Sequence, residues 1–156
     1  DRIEQNENDG AWRILDYKTS ESPKKPKDAH LQKINQSTLD SIPDWAIHKI
    51  DDKYSKWTNL QIPLYVHSAE SILEEKNIST GYFNLSSTQE SIKIETWENF
   101  GEDFLESAIT CAEGVSNGIS ECDFWPPADS PKYDNYSEII FGDCDSSFDP
   151  SEILRT

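Results

Sequence analysis

Three side chains near the start of the chain could do chemistry together: Asp1, Asp16 and Lys18. The stretch "WRILDYKTS", residues 12–20, reads as a strand that is apolar on its approach and charged at its end. Side chains alternate faces along a strand, so Trp12, Ile14, Asp16 and Lys18 share one face and Arg13, Leu15 and Tyr17 the other. An acid–x–lysine triplet is weak by itself, and it occurs three times: at Asp16-Tyr17-Lys18, Asp51-Asp52-Lys53 and Glu74-Glu75-Lys76. The second falls in a turn, and the third near a helix end, where positions i and i+2 face apart. Only the first lies on a strand, which makes its acid and its lysine neighbours. A short run from Asp1 to Glu4 precedes it, joined by "QNENDG", whose Asp9-Gly10 is a hairpin turn signal. Pairing across that turn brings Asp1 towards Asp16. Two carboxylates beside a lysine suit a hard divalent cation such as Mg²⁺, which takes oxygen ligands and substrate phosphate. Such a metal lowers the pKa of bound water and offsets charge on phosphate, and the lysine adds a fixed positive group. The competing reading is a hairpin end closed by a surface salt bridge, which is worth little.

Several elements must position this group. After "SESPKKPKDAH", a Pro- and Lys-rich loop, residues 29–40 are expected to form a short helix. "SIPDWAIHKIDDKYSKWTN" reads as two short extended pieces about a turn at Asp51-Asp52. Residues 60–77 are the best helix candidate, with Leu60, Leu64, His67 and Ile72 near one stripe and Pro63 tolerated close to the start. "STGYFNLSS" and "ESIKIETW" read as strands. "ENFGEDFLESAITCAEGVSNGISE" reads as an amphipathic helix with Phe104, Ile109 and Val115 inward. From "FWPPADSPKY" onward, loop and surface tail are expected, pinned by Trp125, Tyr133 and Phe141. Strands and helices do not alternate strictly, so the class is α+β, a mixed sheet flanked by helices.

Composition narrows the function. The 156 residues make one domain's worth of chain. A hydrophobic share of 35% and mean hydropathy of −0.75 are polar for a globular domain. Five Trp and six Tyr nonetheless argue against global disorder. No apolar stretch is long enough for a membrane span, and no signal-peptide pattern is present. The chain opens on Asp and lacks Met, as expected of a piece of a larger protein. The net charge of −16 is uneven: residues 1–60 carry 10 Lys/Arg against 11 Asp/Glu, residues 61–156 carry 4 against 19. Phosphate affinity comes largely from Lys and Arg, so any nucleic-acid function must use a local site. Cys111, Cys122 and Cys144 fit neither a zinc ribbon nor a disulfide framework, and read as free thiols of a cytoplasmic protein. His30, His48 and His67 lack metal-ligand spacing and read as structural or surface, with His30 the first candidate for an exception.

At this point the motifs resemble a family. "DRIE…WRILDYKTS" followed by "LQIPLY" is similar to the RecB-like branch of the PD-(D/E)xK nuclease superfamily. Members carry a "DRID"-like strand, then "DYKTG", then a helix with Gln-x-x-x-Tyr. Asp1 falls on the first acid, Asp16 and Lys18 on the D-x-K pair, Gln61 and Tyr65 on the helix motif; Ser20 stands where Gly is common. "GYFNL" and "FWPPADSPKYDNY" also look like segments of these nucleases. Gln61 and Tyr65 are i and i+4 and share a helix face, so an amide and a phenol there could contact phosphate or position the lysine. The resemblance implies a restriction-endonuclease-like core whose upstream motif residues, a His and an acid, are missing from this chain. It implies Mg²⁺ or Mn²⁺ held by Asp1, Asp16 and the backbone carbonyl of Tyr17. The cysteine spacing departs from that of relatives holding an iron–sulfur cluster, so no iron–sulfur cluster is expected.

The expectation is therefore a nuclease core over residues 1–125 and an acidic tail over 126–156 packed on it. Its activity would be metal-dependent, exonucleolytic hydrolysis of DNA, within a larger recombination or repair protein. Lys24, Lys25 and Lys27 of "KKPK" are either a solvated loop or a local phosphate contact. The rival readings are a catalytically inactive nuclease-fold module that binds DNA ends or protein, and a phosphodiesterase acting on RNA or nucleotides.

Overall fold

The computed structural model describes residues 1–20, 23–50, 52–75 and 78–123. They fall in two units, Asp1–Val115, which holds every strand described, and a second that begins at Ser116. The tail expected from 126, with Tyr133 and Phe141, lies outside the described residues, as does Trp125.

The hairpin forms as the turn chemistry requires. β1 (Arg2–Gln5) pairs antiparallel with β2 (Trp12–Lys18), Arg2 opposite Leu15 and Gln5 opposite Trp12. Gly10 closes the turn at φ +73°, donating its amide to Asn6 O at 2.8 Å, a conformation that residues with a Cβ resist. β2 then pairs in parallel with β6 (Ser79–Asn84), which pairs antiparallel with β7 (Lys93–Thr96). The resulting mixed sheet has the order β1-β2-β6-β7. Its inner face contributes Ile14, Tyr82 and Trp97 to the core.

Between β2 and β6 the chain builds what covers that face. A short helix α1 (Pro26–His30) leads into β3 (Leu31–Ile34), and β4 (Ile47–Ile50) and β5 (Lys53–Trp57) complete a second sheet of order β3-β5-β4. The helix expected over 29–40 is thus replaced by the end of α1, a strand, and a 3₁₀ turn at Gln36–Ser41. Leu31 faces Trp57 across β3 and β5, and both are buried; that long-range pairing overrides the local helical tendency. The two extended pieces about the aspartates are β4 and β5, with Asp52 at φ +58° and Asp51 outside the described residues.

The long helices follow their expected spans, and of the inner residues expected for the second, Phe104 is buried and Ile109 packs partly buried against the core. α2 (Gln61–Leu73) buries Ile62, Pro63, Val66 and Ala69, the i, i+4, i+7 stripe. The expected stripe is wrong: Leu64 and Ile72 are exposed, and so is His67. Pro63, the third residue of the helix, needs no amide partner there. α3 (Glu102–Ser120) buries Phe104, Leu105, Ala108 and Cys111, whereas Val115 is exposed. Phe104 and Trp97 meet edge to face with centroids 5.7 Å apart, and the Trp57 indole donates to Ser107 Oγ at 3.0 Å. Among the described residues no helix is long and apolar enough to cross a membrane.

Candidate active site

The site grows from the end of β2. Asp16 and Lys18 share the inner face, as the alternation demands, and Asp16 is only 2% exposed. Lys18 Nζ stands 2.6 Å from Asp16 Oδ2. That ammonium is the charge partner of the buried Oδ2. Asp1 precedes β1 and reaches the same place from the neighbouring strand. Its Oδ1 accepts the Tyr17 amide at 3.4 Å, and its Oδ2 accepts the Tyr65 hydroxyl at 2.8 Å.

α2 closes the arrangement. Gln61 and Tyr65 sit one turn apart, and Gln61 Nε2 donates to Tyr65 Oη at 3.0 Å. The other amide atom, Gln61 Oε1, accepts from Lys18 Nζ at 3.4 Å. The five side chains singled out in the sequence thus form one continuous run: Asp16, Lys18, Gln61, Tyr65, Asp1. Each long flexible group in it is held at its tip by the next.

A model of the PD-(D/E)XK nuclease superfamily matches residues 1–130. The chain belongs to that superfamily. Neither a curated protein nor a solved structure matches it.

The sheet adds residues to the candidate site that strand alternation alone did not mark. Tyr82 lies opposite Asp16 in the β2–β6 register, and the Lys18 ammonium stands 4.9 Å from its ring centroid. Burial, and secondarily the negative charge of Asp16, push the Tyr82 phenol up to about 12, so it stays neutral; its hydroxyl has no partner. Asn84 lies opposite Lys18, fully buried, with neither amide atom paired. The visible signal for both was their place in the strand "STGYFN", but nothing local states which β2 residue each will face.

The start of α2 is fixed by a histidine. His30 Nδ1 lies 2.7 Å from the Asn59 carbonyl oxygen, and Asn59 Oδ1 accepts the Gln61 amide at 2.8 Å. A carbonyl only accepts, so His30 carries its hydrogen on Nδ1. Its Nε2 is then a bare acceptor, buried and unpartnered. Burial draws the His30 pKa down to about 4; the Asn59 bond opposes this and the nearby charge of Lys18 adds to it. His48 is also buried, stacked on Phe104 at 4.4 Å, and held neutral first by desolvation and then by Lys27, against Asp103. His67 is exposed.

The donor set fits a hard divalent cation. Among the described residues no three His, Cys, Asp or Glu side chains group to hold a metal. Mg²⁺ is nevertheless commonly bound through one or two carboxylates plus waters and substrate phosphate, and the buried Asp16 carboxylate, with Asp1 reaching the end of the same strand, supplies oxygen ligands of that kind. Cys111 is buried in α3 with its pKa raised by desolvation, Cys122 is exposed, and Cys144 lies outside the described residues.

Proposed function

We propose that this chain is a Mg²⁺- or Mn²⁺-dependent deoxyribonuclease, exonucleolytic, acting in the cytoplasm as part of a larger DNA recombination or repair protein. The observation that carries the reading is the convergence of Asp1, Asp16, Lys18, Gln61 and Tyr65 from two strands and a helix onto one spot. Asp1, Asp16 and the Tyr17 carbonyl would hold the cation, which supplies an acidified water and charge neutralisation on phosphate. The chemistry is hydrolysis: a water oxygen bonds to phosphorus, the bond to the leaving oxygen breaks, and the water's protons pass to solvent and the leaving group. Lys18 is the group that touches the reacting atoms, orienting the water or stabilising charge on the scissile phosphate. Gln61 steers the ammonium by its carbonyl, and Tyr65 fixes the Asp1 carboxylate by its hydroxyl; both are positioning residues.

The competing reading is a nuclease-fold module that binds DNA or protein without cutting. It gains weight from the presence of only two convergent carboxylates among the described residues. Calorimetric titration with Mn²⁺ of the wild type and Asp16→Ala separates the two. Saturable binding lost in the variant, with Mn²⁺-dependent cleavage of an end-labelled DNA that falls on the order of 10²–10³-fold in Lys18→Ala, is the expected result. Equal titrations, or none, would remove the catalytic reading. Parallel assays on single-stranded DNA, duplex DNA and RNA identify the substrate, and a circular substrate left intact marks exonucleolytic action.

A further inference from the structure

The lysines that follow the active strand are assembled with others into a second feature. Lys24, Lys27 and Lys33 line an open cleft of about 590 Å³ between α1, β3 and β5. Gln32, Ser55 and Thr58 add an amide and two hydroxyls to its wall, and among the described residues Asp28 is the one acid lining it. In a chain with 30 acidic and 14 basic residues, cations would be expected to find carboxylates. The ion pairs among the described residues use Arg2, Arg13, Lys18, Lys49 and Lys93 instead. None uses the three cleft lysines. Lys27 is ordered by a different contact, with its ammonium 5.2 Å from the Phe104 ring centroid. Among the described residues Lys24 and Lys33 thus have no ion-pair partner, and lysines beside amide and hydroxyl groups are the set that contacts phosphate backbones.

The cleft is tied to the active site by short lengths of chain. Thr58, on its wall, precedes Gln61 by three residues, so their Cα atoms lie within about 11 Å. Thr58 also donates its amide to His30 O at 2.9 Å, at the end of the helix that carries Lys27. We infer that this cleft binds the phosphodiester backbone of the nucleic acid strand a few nucleotides from the bond being cut. It is the local basic site an otherwise acidic nuclease needs. The inference rests on the proposed nuclease reading only for the identity of the anion.

The test is binding of a fluorescein-labelled single-stranded DNA oligonucleotide, read by anisotropy in EDTA over a range of salt concentrations. The variant is Lys24→Gln/Lys33→Gln, which leaves Lys27 and its ring contact in place. Each phosphate contact on a single strand contributes about 0.7 to the slope of log K against log salt, so the double variant should lose about 1.4. A duplex probe should lose about 1.8 for the same two contacts. An unchanged slope would overturn the cleft as a phosphate site, as would a wild type that does not bind at all. Asp16→Ala provides the separation: cleavage lost with the slope intact keeps the cleft independent of the metal site. If the wild type binds with the expected slope yet never cleaves with Mn²⁺, the catalytic reading fails and the cleft stands.

Discussion

Acidification from pH 7 towards 4 should destabilise this protein in part through His30, and loosen the helix that carries Gln61 and Tyr65. The ring is fully buried, with centroids 5.1 Å from Trp97 and 5.9 Å from Tyr82. Protonation at Nε2 would place a charge where no acceptor waits, near the Lys18 ammonium. The folded-state pKa is about 4 against 6.5 when unfolded. Between those values the unfolded chain binds more protons, so the contribution is fully present above pH 6.5 and is lost as pH falls through the window. Linkage gives a loss of about 2 kcal/mol by pH 5 and about 3 kcal/mol by pH 4. The assay is urea unfolding at half-unit steps from pH 4.5 to 7.5 on the wild type and on His30→Phe. Carboxylates titrate in the same range, but they do so in both proteins, so the difference isolates the histidine. The hydrogen bond to Asn59 is lost in the variant at every pH and shifts its curve without tilting it. The wild-type advantage should therefore shrink by about 2 kcal/mol between pH 7 and 5. A difference constant across the range would refute the reasoning.

Two further outcomes follow from the sheet. Tyr82→Phe keeps the ring under Lys18 and deletes an unpartnered hydroxyl, whose burial costs about 1–3 kcal/mol; it should retain cleavage and match or exceed wild-type stability. Tyr82→Leu removes the ring and should lower kcat, with KM little changed, by the equivalent of about 0.5–2 kcal/mol; equal kinetics for the two variants would deny Tyr82 its hold on Lys18. Gly81→Ala would place a Cβ against the Glu95 carbonyl and 2.9 Å from Thr96 Cα, where β6 meets β7. Urea unfolding should show a loss of about 1–3 kcal/mol, and an unchanged midpoint would mean that β7 gives way freely.

Much of the site was legible in the sequence because its geometry is local. A period of two fixes Asp16 and Lys18 on one face of β2, a glycine turn returns Asp1 beside them, and a period of 3.6 aligns Gln61 with Tyr65. None of those relations needs the rest of the chain. The rotation of α2 does. Its sequence offers two apolar stripes, one through Leu64 and Ile72 and one through Ile62, Val66 and Ala69. Helical period alone cannot choose between them. The second is buried because it joins the core with Ile14, Tyr82 and Trp97, and that rotation brings Gln61 and Tyr65 to Lys18 and Asp1.

The same holds wherever a residue's partner is far along the chain. Leu31 is strand rather than helix because Trp57 pairs with it, and Val115 is exposed although it continues the stripe of Phe104, Ala108 and Cys111, because the buried part of α3 ends before it. Tyr82 lies beneath Lys18 only through a parallel register joining positions more than sixty residues apart. His30 reaches α2 only through the carbonyl of Asn59, twenty-nine residues on. By itself the sequence determined which groups could do the chemistry and which of them were neighbours along one strand or one helix. The tertiary structure decided which strand faces which helix, and so what holds those groups in place. The physical reason is that periodicity is set by backbone geometry within a few residues, whereas register and helix rotation are set by packing between segments distant along the chain.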